Sequence, residues 1–91
     1  MDKVRPVLVL TREVVRPHMN TVTVAPITTT IRGLSTEVEV GPANGLEHRS
    51  VVACDHVTTI PNAALSSQIG VLLDGQEQAL SDAIRTALDL D

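Results

Sequence analysis

Five residues combine reactive side chains with placements that hold them still. Arg5 precedes Pro6 at the head of the first apolar run, Val7-Leu8-Val9-Leu10. A sheet fixes the backbone at a strand end, so a guanidinium there keeps its aim. The same position also suits an ordinary surface arginine. Thr28 closes a second run after Pro26-Ile27. Its hydroxyl can donate to a substrate, although threonines at strand ends commonly satisfy nearby backbone groups. Cys54 lies inside a strand pattern with Asp55 beside it. A nucleophilic thiol needs an electropositive, accessible setting, and a carboxylate supplies the opposite charge. Cys54 therefore reads as a small core residue. Asp55 and His56 are neighbours, and on a strand neighbours point to opposite faces. Adjacency alone does not make them a catalytic pair, and a lone His56 is more often a surface or hydrogen-bonded histidine than a proton shuttle.

The chain as a whole narrows the chemistry. It has 91 residues, with 43% hydrophobic and 20% charged. No phosphate-binding glycine loop, nucleophile elbow or metalloprotease helix is present. The single cysteine forms no internal disulfide, and His18, His48 and His56 lack zinc-ligand spacing. Apolar runs fall short of the ~18–20 residues of a membrane span. Met1-Asp2-Lys3-Val4-Arg5-Pro6 has no signal-peptide pattern. The expectation is one cytoplasmic domain over residues 1–91 with no membrane contact. So short a chain buries little surface alone, and dimerisation adds to it.

No Phe, Tyr or Trp occurs, so the core must be aliphatic and no ring is available for base stacking. The net charge of −4 argues against a nucleic-acid binder. Its distribution softens that. Residues 1–33 hold five basic against two acidic residues, and residues 34–91 hold two against nine. A local basic face is compatible with an acidic protein.

Positioning elements follow from pattern. The chain carries 13 Val, 10 Thr and 5 Ile, a strand-forming composition. Val7–Leu10 reads as a buried strand, and Thr21-Val22-Thr23-Val24 as a half-buried one continuing toward Thr28. Thr28–Gly33 is a polar connection. In Thr36–Val40, Glu37 and Glu39 face one side and Val38 and Val40 the other. Gly41–Gly45 breaks the chain. Ser50–Cys54 reads as a central strand that Val57–Ile60 extends, stopped by Pro61. Ile69–Leu73 reads as another strand. Ala79, Leu80, Ala83, Ile84, Ala87 and Leu88 form one helical stripe, with Asp74 as N-cap and Glu77 three residues on. The class is mainly β (α+β): an antiparallel sheet with a C-terminal helix.

Four segments in order resemble the MazF/PemK family, toxins of bacterial toxin–antitoxin modules. They are Arg5–Leu10, Val22–Thr28, Arg32–Val38 and Ser50–Ile60. Ile69-Gly70-Val71-Leu72 and the terminal helix also look like that family. The resemblance implies a small SH3-like (CcdB/PemK) antiparallel barrel with a C-terminal helix, forming a homodimer. The family's strand before Arg5 is missing or shortened here. It also implies an endoribonuclease that needs no metal or other cofactor and cuts single-stranded RNA at a short sequence. A MazE-like antitoxin segment would fold across the RNA groove.

Carried over by motif, the family's catalytic arginine is Arg5 and its catalytic threonine Thr28. Its RNA-binding positions match Ser50, Asp55 and His56, with His56 standing where many relatives carry an amide. The RNA's 2′-hydroxyl would attack the phosphorus, leaving a 2′,3′-cyclic phosphate and a 5′-hydroxyl. His56 and Glu13 are candidates for the base. Two other readings compete: a gyrase-poisoning toxin of the same fold, and a non-catalytic dimeric peptide-binding module. The first calls for aromatic contacts on the C-terminal helix, which has no aromatic residue.

Overall fold

The computed structural model describes residues 5–12 and 14–89. Five strands and one helix make up the frame: β1 (Val7–Val9), β2 (Thr21–Thr28), β3 (Glu37–Val40), β4 (Ser50–Ala53), β5 (Thr58–Pro61) and α1 (Asp74–Leu88). The long β-branched strand β2 is the hub. One of its edges carries β1, with Val7 opposite Pro26, Leu8 opposite Ala25 and Val9 opposite Val24. Its other edge carries β4 and then β5, both antiparallel. β3 pairs with β4, from Glu37 opposite Ala53 to Val40 opposite Ser50.

β4 and β5 are one strand interrupted. Val24 faces Thr58 and Ile27 faces Val52, so three steps along β2 match six along its neighbour. The three extra residues are Cys54, Asp55 and His56, wound into a single 3-10 turn. This corrects the strand reading of that segment. Asp55 and His56 sit on a protruding bulge and both are exposed.

Alternation divides the sheet into two faces. Val38, Val40, Val52, Cys54 and Ala25 form the buried core, joined by Ala83 of α1. Leu80, Ile84 and Ala87 pack against it from the helix, along the stripe the sequence shows. Burial of each valine stabilises the fold by roughly 1.5–3 kcal/mol, which lets a core without rings hold.

Two expectations shift. Ile69–Leu73 makes no sheet ladder among the described residues. The turn at Pro42–Asn44 fixes it instead. Val71 C=O accepts the Asn44 side-chain amide at 2.9 Å. Gly70 packs so tightly that a Cβ there would lie 1.9 Å from the Asn44 carbonyl oxygen. The helix cap also moves by one residue. Asp74 is the first helical residue, and Gln76 Oε1 accepts the Leu73 N–H at 2.9 Å. The described sheet is open, not a closed barrel, with β1 and β3 at its ends. The expected loss of a strand before Arg5 falls on Met1–Val4, which lie outside the described residues, as does Glu13.

Candidate functional site

The β1–β2 ladder continues beyond Val7. Ile27 N–H donates to Pro6 C=O at 3.2 Å, while at the other end Leu10 N–H donates to Thr23 C=O at 2.8 Å. One step further places Arg5 directly across from Thr28, a non-hydrogen-bonded pair. Such pairs bring Cα atoms to ~4.5 Å and point both side chains to one face. The same row continues through Val51 on β4 to Glu39 on β3. Two residues along the strands, the next row runs Val7, Pro26, Ala53, Glu37. Arg5, Thr28, Glu37 and Glu39 thus share the sheet face opposite Val38, Val40 and Val52.

Thr28 is half-buried. Its Oγ1 accepts the Thr30 N–H at 3.1 Å. That bond uses a lone pair and leaves the hydroxyl proton to donate outward. Arg5 is exposed. It stands at the rim of a cleft of about 1080 Å³ that opens over the core face, with Arg16, Leu8, Ile27, Val40 and Val52 in its lining; Thr28 does not line it. Two guanidinium groups therefore border one concavity.

The carboxylates on this face are matched by arginines. Arg49 Nε donates to Glu39 Oε1 at 2.9 Å. Arg32 Nε lies 3.6 Å from Glu37 Oε2, and Arg32 Nη2 lies 3.7 Å from Asp55 Oδ2. His56 Nε2 is 3.6 Å from the same Asp55 oxygen. Two arginines thus face three carboxylates, so a polyanion approaching Arg5 meets charge that is compensated only in part. The Arg49–Glu39 pair is exposed on both sides and adds little stability.

The remaining candidates divide. Ser50 is buried at 4% exposure on the core-side parity, and its hydroxyl donates to His48 C=O at 2.9 Å. It is not brought together with Arg5 and Thr28 in this protomer. Cys54 is buried, with Sγ 4.0 Å from Val52 C=O. Burial pushes its thiol pKa up, and Asp55 adds to the rise. That depletes the nucleophilic thiolate. Among the described residues no three His, Cys, Asp or Glu side chains gather as a metal site. No helix among them is long and apolar enough to cross a membrane.

Sequence reasoning missed Glu37 and Arg32 as part of this constellation. The available signal was a basic and an acidic residue bracketing Gly33-Leu34-Ser35-Thr36, a turn that returns the chain on itself.

The model of the PemK-like, MazF-like toxins of type II toxin–antitoxin systems matches residues 1–88. The chain belongs to that family. A protein named endoribonuclease MazF3, from Mycobacterium tuberculosis, is 64% identical over 91 residues, covering 100% of this chain and 88% of its own length. The solved Mycobacterium tuberculosis toxin MazF-mt6 superposes with a TM-score of 0.95 at 64% identity, over 100% of this chain and 92% of that one. A mycobacterial endoribonuclease solved in complex with its cognate antitoxin aligns with a TM-score of 0.84 at 26% identity, over 96% of this chain and 82% of that one. The MazF-like relatives share the antiparallel sheet and C-terminal helix described above.

Proposed function

We propose that Arg5 and Thr28 are the catalytic pair of this MazF-like toxin and act together on one RNA phosphodiester. The chain is an endoribonuclease, as its 64%-identical relative is named. The observation that supports the pairing is the ladder bond from Ile27 N–H to Pro6 C=O, one step before the position where the register sets Arg5 opposite Thr28.

RNA supplies its own nucleophile, the 2′-hydroxyl next to the scissile phosphate. Its oxygen attacks phosphorus and the 5′-oxygen of the next nucleotide leaves, giving a 2′,3′-cyclic phosphate and a 5′-hydroxyl. Negative charge builds on the equatorial oxygens during attack. The Arg5 guanidinium holds two of them in a planar fork. The Thr28 proton, turned outward by the Thr30 N–H, donates one more hydrogen bond to one of these oxygens. Preorganised donors of this kind each contribute about 3–4 kcal/mol to barrier lowering. This chemistry proceeds without a metal, the charge being met by the Arg5 guanidinium. The proton of the 2′-hydroxyl passes to a base, for which His56 and Glu13 are the candidates, and the departing 5′-oxygen takes up a proton from water.

With no Phe, Tyr or Trp in the chain, bases are read chiefly by hydrogen bonds from the bulge residues Asp55 and His56. Ser50, its proton committed to His48 C=O, contributes as an acceptor. A cognate antitoxin peptide covers the Arg5–Thr28 face, a reading supported by the antitoxin complex of the 26%-identical relative. The working form is a cytoplasmic homodimer, which buries surface that 91 residues leave open. A gyrase-poisoning role leaves the Arg5–Thr28 pair without a task.

The test is to incubate the protein with a long RNA in EDTA and identify both new termini. Discrete cuts ending in cyclic phosphate and 5′-hydroxyl support the mechanism. A 5′-phosphate product, or cleavage abolished by EDTA and restored by a divalent cation, contradicts it.

A further inference from the structure

The connection leaving Thr28 is wrapped around one carboxylate. Glu37 Oε1 accepts the backbone N–H groups of Gly33 at 2.8 Å, Leu34 at 3.1 Å and Arg32 at 3.2 Å. Its other oxygen accepts from Arg32 N–H at 3.3 Å and faces the Arg32 guanidinium. The Glu37 side chain is only 3% exposed, although it is charged and the turn around it is open to solvent. Three consecutive amides converging on one oxygen form a fixed anion nest, here filled from within the chain. Gly33 permits the turn, with φ at +74°.

The chain of contacts then runs outward. Arg32 spans Glu37 and Asp55, and Asp55 contacts His56. Glu37 stands on the same sheet face as Arg5 and Thr28, two residues along the strands from their row. Arg32 is therefore a strut between the loop that follows Thr28 and the bulge that carries Asp55 and His56. Its charge is taken up by two carboxylates, so it is poorly suited to binding phosphate.

We infer that Glu37, acting through Arg32, is a positioning residue for RNA sequence selectivity: it sets where the Asp55 carboxylate and the His56 ring stand relative to Thr28. The inference rests on the base-reading role proposed above for the bulge. An acceptor held on a strut discriminates between base edges, because a misplaced donor finds no partner. A swinging one adapts to several bases. One well-placed side-chain-to-base contact is worth about 1–3 kcal/mol of discrimination, or roughly 5- to 150-fold.

Two variants separate the strut from the fold. Arg32→Ala removes the link to Asp55 and leaves the nest filled. Glu37→Gln keeps an acceptor for the three amides and removes the charge that holds Arg32. Cleavage sites on a long RNA are sequenced for each, with kcat and KM measured on the best site and Tm recorded. The expected result is a preference at one position of the cut sequence weakened about tenfold in both variants, with KM rising more than kcat falls. Unchanged cleavage sequences in both variants overturn the inference, whatever happens to Tm, since a purely structural Glu37 alters stability alone. Should Glu37→Gln fail to fold, Arg32→Ala decides by the same criterion, as Arg32 is half-exposed. Parallel Arg5→Ala and Thr28→Ala controls keep the two readings apart. If those controls still cut, the catalytic assignment has failed. If they are inactive while Arg32→Ala keeps the wild-type sequence profile, only the strut has failed.

Discussion

Arg5 stands across the β1–β2 ladder from Thr28, one residue beyond the bond from Ile27 N–H to Pro6 C=O. Twenty-three positions apart in the chain, they are matched by the β1–β2 register carried two residues past the start of β1. The pairing depends on Pro6 in a specific way. Proline gives no N–H, so this rung has a single bond, and only a β2 residue donating inward can close it. Ile27 does so. The arginine–proline pair at the start of β1 is thereby joined to the isoleucine–threonine pair at the end of β2.

Removing either functional group should slow cleavage without unfolding the protein. Arg5→Ala and Thr28→Val are each expected to lower kcat by about 10²–10³-fold. Arg5 is exposed and Thr28 half-buried, so thermal midpoints should move little. Thr28→Ser keeps the hydroxyl and should retain most of the activity. Single-turnover cleavage of a defined RNA, alongside a melting curve, checks all three.

RNA affinity should fall as salt is added. Phosphate contacts by Arg5 and Arg16 release counterions, so log K declines linearly with log salt, with a slope of about −0.7 per contact on single strands. Arg16→Ala should make the slope shallower by about that much. Fluorescence anisotropy with an uncleavable 2′-deoxy analogue gives the slope directly.

Much of this fold is legible in the sequence because the alternations are clean. Glu37-Val38-Glu39-Val40 separates its two faces as written, and Leu80, Ala83, Ile84 and Ala87 pack as their spacing implies. Other features depend on tertiary contacts that no local pattern carries. The bulge at Cys54–His56 is invisible because its residues are strand-compatible, and only counting against β2 exposes the excess. Ile69–Leu73 reads as a strand by its apolar content, yet a strand needs a neighbouring edge. Here the Asn44 amide and the tight seat of Gly70 take its place. Arg5 and Thr28 enter through family resemblance, and their pairing appears only once the register is known. Ser50, carried over the same way, faces inward.

Gly70→Ala should destabilise the protein markedly. The added methyl meets the Asn44 carbonyl oxygen, a backbone atom that cannot swing aside. A loss of about 2–3 kcal/mol is expected, as for strain at a tightly packed site. Gly75→Ala, where nothing lies within 4 Å, is the matched control and should be neutral or slightly stabilising. Urea titration of both variants measures the difference.

Cys54 should resist thiol reagents in the folded state. Burial raises its pKa, with the Asp55 charge contributing, so the thiolate is scarce near neutrality. The sign for stability follows. The folded state favours the protonated thiol, so this contribution is intact below the unfolded pKa and is lost as pH rises through the folded one. Alkylation at pH 7.5 in ~0 and ~6 M urea should be slow and then fast. Cys54→Ala should flatten the alkaline loss of stability.

The central claim is that Arg5 and Thr28 act on the same phosphate, and a double-mutant cycle on the cleavage step tests it most directly. Single-turnover rates are measured for the wild type, Arg5→Ala, Thr28→Val and the double variant on one RNA at saturating protein. Groups that grip one transition state lose their effect together, so the double variant should be slower than the worse single by less than about tenfold. Two large losses that multiply in full, or wild-type cleavage by either single variant, would contradict the claim.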